Sequence, residues 1–289
     1  MRGWSVPGPV VDEAIEGIAA DRTSSASRLA RVALETMALA TLEGPGGKEP
    51  AKLAEVARRI SDAQPAMAIV HNVVHMYVRL LADGHEPMAV LRELHAELET
   101  ARERIGKTFL KVAPERATVL TLSYSESVRA CLRAAHAKRR IAQVLVVESG
   151  PVFEGRTMAK VLEAEGLPAT AIPDEAGVPR VGDATYVLTG ADSVLRDGSV
   201  VNKRGTRALA EAAGKDGKPT YVACETLKFD ARFDAVSWPG SRMGTLFDVT
   251  PGSLVTTVVT ERGTYAPEII RTMLASSRGS SAKDRSRES

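Results

Sequence analysis

A chain of 289 residues, 44% hydrophobic and 26% charged, has apolar mass for one large domain or two modest ones. Its 38 basic residues against 36 acidic ones leave a formal charge of +2, which gives no charge-based case for nucleic acid or a membrane surface. Two cysteines, Cys131 and Cys224, make no disulfide framework and stand in no CxxC or Cys/His cluster. The N-terminus lacks an uninterrupted apolar leader core and no apolar run is long enough to span a bilayer, so a reducing, cytoplasmic setting is expected.

From about Val10 to Gly106 the apolar spacing is helical. In "ASRLARVALETMALATLE", Leu29, Val32, Ala33, Met37 and Ala40 recur at steps of three and four, with Arg28, Arg31 and Glu35 elsewhere. "EPAKLAEVARRISDAQPAMAIVHNVVHMYVRLLADG" and "PMAVLRELHAELETARERIGKTFL" continue the pattern, punctuated by Gly46-Gly47, Pro65 and the Gly84–Pro87 neighbourhood. Three or four amphipathic helices are predicted, forming an N-terminal helical domain over residues 1–115. His71 and His75 lie four apart with no acidic third ligand in register, so they read as helix-face residues and no metal is expected.

After "VAPERA" the period changes. "TVLTLSY", "QVLVVES", "ATAI", "ATYVLTG", "PTYVACE" and "SLVTTVVTE" are short runs rich in Val, Leu and Thr, and helical stretches separate several of them. Strands alternating with helices predict an α/β fold, here a Rossmann-like, doubly wound parallel sheet over residues 116–275. Runs apolar on both faces fit strands covered by helices on both sides. The tail 276–289, "SSRGSSAKDRSRES", is almost free of apolar residues and is expected to be disordered.

Open α/β sheets bind ligands outside the carboxyl ends of their strands. Here those ends read "SYSES", "ESGPVFEGR", "GAD", "NKRGT", "ETLKF" and "ERG", unusually polar for one sheet edge. Ser123, Ser125, Glu148, Asp192, Lys203, Glu225 and Lys228 are candidates to converge on one crevice. Each also has a plainer reading. Asp192 can cap the turn into "SVLRDG", Ser125 can cap the helix "SVRACLRAA", and Glu148 can pair with Arg156. Tyr124 can stack on a ring or simply pack, and Cys131, mid-helix, reads as core.

"ESGPVFEGRTMAKVLEAEGLPATAIPDEA", "GADSVLRDGSVVNKRGTRALA", "YVACETLKF" and "FDVTPGSLVTTVVTERG" occur in this order. Together they resemble the family that unites the initiation factor 2B alpha, beta and delta subunits with ribose-1,5-bisphosphate isomerase and methylthioribose-1-phosphate isomerase. The resemblance is dense over roughly residues 118–270 and continues more weakly in "DRTSSASRLARVALETM" and "QPAMAIVHN". It implies a helical domain before a Rossmann-like one, and a homodimer or higher homo-oligomer. In the isomerase branch it implies a cysteine that takes the C2 proton of the substrate and an aspartate acid, which matches Asp192. Asn202 and Lys203 match the pair that holds the phosphate or hydroxyls of the substrate, and Lys228 matches a phosphate-contacting lysine.

The isomerases carry their cysteine in a T-x-C-x-S strand end, whereas this chain reads Thr121-Leu122-Ser123-Tyr124-Ser125. Ser123 therefore stands at the position of the base, and a hydroxyl is a far weaker acid than a thiol. Ser24-Ser25-Ala26-Ser27 replaces their R-G-A-G run, and Gln64 replaces the arginine ahead of Pro65. "TLSYSESV" is similar instead to the strand ends of initiation factor 2B subunits, which commonly lack the acid of "GAD". The expectation is a phosphorylated sugar or nucleoside monophosphate as ligand, without metal or redox cofactor, nucleic acid or membrane. Asp192 and Ser123 are the catalytic candidates, and Tyr124, Ser125, Glu148, Asn202, Lys203 and Lys228 the substrate-binding ones. The alternative is a non-catalytic subunit that senses a metabolite in the same pocket.

Overall fold

The computed structural model describes residues 9–21, 24–43, 49–239 and 246–285. The chain divides into two compact units at Thr100/Ala101, inside a long helix and ahead of the 115/116 boundary read from the sequence.

The first unit is helical: α1 (Pro9–Ala20), α2 (Ala26–Leu42), α3 (Pro50–Ala63), α4 (Ala68–Ala82) and the start of α5 (Pro87–Phe109). Ser25 caps α2 by accepting from the Arg28 N–H, and Pro50 opens α3 where a missing N–H costs nothing. The α2 stripe packs inward through Leu29, Ala33, Met37 and Ala40, while Glu35 stays in solvent. Gln64 is buried and donates to the Ile18 and Asp21 carbonyls, so it ties the end of α3 to the end of α1.

The second unit holds β1 (Ala117–Leu122), α6 (Glu126–Ala137), β2 (Ile141–Val147), α7 (Glu154–Ala164), β3 (Ala169–Ile172), the short α8 (Asp174–Gly177) and β4 (Tyr186–Thr189). There follow β5 (Ser193–Leu195), β6 (Val200–Lys203), α9 (Thr206–Lys215), β7 (Thr220–Ala223), β8 (Phe229–Asp230), β9 (Phe247–Thr250), β10 (Thr257–Thr260), β11 (Gly263–Tyr265) and α10 (Pro267–Arg285). A seven-stranded sheet has the order β11-β10-β7-β4-β1-β2-β3, parallel except for the β10–β11 hairpin. The six strand-like runs of the sequence all lie in it, as a mixed α/β fold with a mostly parallel sheet.

The apolar runs alternate between two cores. Val119, Val144, Val146, Tyr186 and Leu188 face one cluster with Val128, Cys131 and Leu132 of α6 and Met158 of α7. Leu120, Leu122, Leu145, Val147 and Val187 face the other with Leu209 and Ala213 of α9. Each such side chain contributes about 1.5–3 kcal/mol relative to exposure, so helices on both faces are what stabilise uninterrupted Val/Leu strands.

A second sheet of order β8-β5-β6-β9 grows from the exit of β4 and was not foreseen in the sequence. At the C-terminal end α10 runs from Pro267 to Arg285, and residues 286–289 of the expected tail lie outside the described residues. Pro267 starts that helix, buried Ile270 anchors it, and the Ser/Ala/Lys/Arg composition beyond offers one weak breaker, Gly279.

Candidate functional site

The strand order reverses between β1 and β4, because the chain runs outward through β2 and β3 on one side and through β7 and β10 on the other. The exits of β1 and β4 therefore face the crevice that such sheets use for ligands. Ser123, Tyr124 and Ser125 leave β1 there, and Gly190, Ala191 and Asp192 leave β4.

Ser123 is buried and left-handed, with φ 59°, and its N–H donates to the Val147 carbonyl at 3.2 Å. That kink ends β1 and turns the chain into α6, whose N-cap is Ser125, accepting from the Val128 N–H. Gly190 makes the close approach of the two exits possible: a Cβ there would lie 2.7 Å from Ser125 Oγ and 3.8 Å from Asn202 Oδ1. Ser125, Gly190 and Asn202 thus share one wall. Asn202 is buried and donates through Nδ2 to Thr206 Oγ1 at 2.9 Å, at the start of α9.

Asp192 is half-buried, and its N–H donates to the Val201 carbonyl at 2.8 Å, which joins β4 to the small sheet. Burial raises its carboxyl above the usual range; Lys228 and Lys203 oppose that shift, and Glu154 and Glu225 reinforce it. Lys203, at the end of β6, pairs with Glu154 at 2.7 Å and lies 5.2 Å from the centre of the Phe247 ring. Lys228 is buried with Glu225, Nζ to Oε2 3.1 Å. Burial alone would lower the Lys228 ammonium, but Glu225 and Asp192 carry it above its ordinary value.

Two candidates are engaged elsewhere. Tyr124 donates its hydroxyl to Glu126 at 2.9 Å, and Glu126 also receives Arg129, which pairs with Glu165. Burial, reinforced by Glu126, pushes the phenol up. Glu148, at the exit of β2, pairs with Arg156 at 2.8 Å, and that guanidinium holds its carboxyl below the usual range.

Three residues of the site were not singled out in the sequence. Glu154 reaches Lys203 because α7 starts hard against β2: a Cβ on Gly155 would fall 2.1 Å from the Val147 carbonyl oxygen. Phe247 and Asp248 arrive from β9, which pairs Lys203 with Phe247 and Asn202 with Asp248. Asp248 accepts from the Gly205 N–H at 2.7 Å and the Arg207 N–H at 3.3 Å, which holds the turn after Lys203. Gly205 has φ 104°, a conformation side chains resist. Only "EGR" hinted at Glu154; the β9 residues had no local signal.

A cavity of about 310 Å³ opens beside the exits of β1, β2 and β6, lined by Leu122, Val147, Ser149, Asp174, Arg204 and Leu209 among others. None of the candidate residues lines it. Among the described residues no group of three or more His, Cys, Asp or Glu is placed to hold a metal ion, and no helix is long and apolar enough to cross a membrane.

The profile of the initiation factor 2 subunit family matches residues 22–238. The chain belongs to that family. A putative translation initiation factor eIF-2B subunit 2-like protein of Pyrococcus furiosus is 30% identical over 263 residues, 88% of this chain and 95% of the relative. A ribose 1,5-bisphosphate isomerase of Haloferax volcanii is 31% identical over 76% of each chain. A methylthioribose-1-phosphate isomerase of Anaeromyxobacter sp. is 33% identical over 77% of this chain and 76% of the relative. The crystal structure of the Pyrococcus horikoshii OT3 translation initiation factor eIF-2B superposes with a TM-score of 0.80 at 25% identity, over 90% of this chain and 98% of that one. Family membership thus spans enzymes and initiation factors, and the residues of the crevice must separate them.

Proposed function

We propose that this family member binds a phosphorylated sugar or nucleoside monophosphate at the β1/β4 crevice and acts there as an aldose–ketose isomerase on a ribose-phosphate type substrate. The observation that carries the reading is Asp192: burial raises its pKa, while two lysines stand close enough to oppose the shift. A protonated carboxyl at that place can give a proton to a sugar oxygen, the acid half of moving a carbonyl between C1 and C2. Asn202, Lys203 and Lys228 position the substrate, and Ser123 or a water it orients takes the C2 proton. The relatives named isomerases support the substrate class. The unit that does this is a homodimer or higher homo-oligomer in the cytoplasm, with no resident metal or redox cofactor.

A second reading rests on Ser123. Among the described residues no histidine is placed to activate it: the histidine of the second unit, His136, lies at the far end of α6, about 16 Å along the axis from the Ser125 cap. A subunit that binds the same ligand without turning it over fits that feature. Asp192→Asn separates the two readings. For an acid, turnover is lost while ligand affinity stays within about tenfold, roughly 1.4 kcal/mol. Parallel loss of affinity and melting temperature would show a structural carboxylate instead.

A further inference from the structure

Arg102 approaches the exit of β7 from α5 rather than from a strand end. It shares one face of that helix with Ile105 and Phe109, at steps of three and four. Ile105 and Phe109 are buried in the cluster that holds Tyr186, Tyr221 and Ala223. The Phe109 ring stands edge-on to Tyr186 and Tyr221, 5.9 Å from each, and the Tyr221 hydroxyl donates to the Val112 carbonyl at 3.4 Å. The end of α5 therefore packs beside the start of β7. It leads into β1 at Ala117, so the helix runs opposite to the parallel strands. From Phe109 back to Arg102 is about 10.5 Å of helix, and from Tyr221 to Glu225 about 13 Å of strand, which brings Arg102 level with the β7 exit. Its positive field acts on Glu225 there.

The other cations around Asp192 and Glu225 are matched. Lys203 pairs with Glu154 at 2.7 Å, Lys228 with Glu225 at 3.1 Å, Arg232 with Asp230 at 2.8 Å and Arg262 with Glu261 at 3.6 Å. Among the described residues Arg102 stands in no ion pair, and its Nε is buried without a hydrogen-bond partner. With Asp192 protonated, this guanidinium is the charge of the group left unbalanced. A buried N–H without an acceptor is costly, and a bound anion offsets that cost. A guanidinium also presents a planar fork of donors that matches phosphate oxygens two at a time. We propose that Arg102 is a further substrate-binding residue, whose guanidinium holds the phosphate of the ligand over the exit of β7, beside Lys228. The inference rests on the phosphorylated ligand class proposed above and not on the isomerisation.

The test is calorimetric titration of the full-length protein with inorganic phosphate. Arg102→Ala is expected to weaken binding by about tenfold or more, and Arg102→Gln, which keeps a polar stem, to do the same. Arg102→Lys retains the charge without the fork and should bind within about threefold of the native protein. Arg180→Ala removes a surface cation paired with Asp183 and should leave the affinity unchanged. Melting curves check that each variant is folded. A lower melting temperature with intact phosphate affinity would show that Arg102 only supports Glu225, and would overturn the proposal. So would an Arg102→Lys variant as weak as Arg102→Gln. Native affinity in both Arg102→Ala and Arg102→Gln would remove Arg102 alone, whereas a native protein that binds no phosphate would overturn the ligand class with it.

Discussion

Lys228 and Glu225 offer the most quantitative test of the crevice. They are 5% and 1% exposed, and their charges meet at 3.1 Å. Lys228→Met keeps most of the side-chain volume but leaves the Glu225 carboxylate buried without its main cation. Breaking a buried pair from one side costs about 3–5 kcal/mol. In a domain of this size class each 1 kcal/mol moves Tm by roughly 2–4 °C, so a fall of about 6–20 °C is expected. Removing both charges in Glu225→Gln/Lys228→Met should cost much less, because no unpaired ion remains.

The pH dependence has a definite sign. In the native protein burial pushes Glu225 up, but Lys228 and backbone hydrogen bonding win and hold it below 4.5. Its stabilisation is present above about pH 4.5 and lost as pH falls through the lower folded value. Lys228 is raised above 10.5, so its stabilisation is complete below that pH and lost as pH rises through the higher folded value. The pair therefore supports the fold across the neutral range. In Lys228→Met the main cation opposing burial is gone, only backbone hydrogen bonding and Arg102 remain against it, Glu225 is expected to rise above its ordinary value, and protonation relieves the penalty. Below that raised pKa the gap between variant and native protein should narrow by up to about 1.4 kcal/mol per pH unit. Urea unfolding followed by circular dichroism at pH 8 and pH 5 measures both effects. A loss under about 1 kcal/mol at pH 8, or an equal gap at the two pH values, would refute the reasoning.

Further variants probe the frame around the site. Gly155→Ala forces a Cβ to within 2.1 Å of the Val147 carbonyl oxygen, where only backbone can yield, so about 3 kcal/mol or more should be lost in denaturant melts. Ser125→Ala removes the α6 N-cap and should cost about 1 kcal/mol, with a larger effect on ligand affinity if those amides also face the ligand. Ser123→Cys places a thiol where the isomerase resemblance implies the base. If Ser123 stands in the base position, turnover should rise at least about tenfold, and an unchanged rate would move the base elsewhere.

The parallel sheet was legible because strands buried on both faces are written as unbroken Val/Leu/Thr runs, as in "TVLTL" and "QVLVV". The small sheet was not. β5, β6 and β8 are short, and β6 pairs with β9 far along the chain, so no local period announces them. The polar strand exits were equally plain, and they include Asp192, Asn202 and Lys203. The partners of these residues were hidden, because Glu154 depends on the close α7–β2 approach at Gly155 and Asp248 on strand register. Lys203 and Lys228, read from sequence as residues that hold the ligand, are paired with Glu154 and Glu225. Tyr124 and Glu148 were placed at the right edge of the sheet, but each has a partner of its own, Glu126 and Arg156.

The central claim is that the β1/β4 crevice binds a phosphorylated sugar and isomerises it. The most direct measurement is a thermal-shift screen against ribose 1,5-bisphosphate, ribose 1-phosphate, methylthioribose 1-phosphate, AMP and GMP, with NMR detection of ketose for every hit. Stabilisation by a sugar phosphate together with ketose formation is the predicted result, with ketose formation lost and stabilisation largely kept in Asp192→Asn. Stabilisation without any ketose would contradict the catalytic claim and make the protein a sensor, and no stabilisation by any of the five would contradict the ligand class itself.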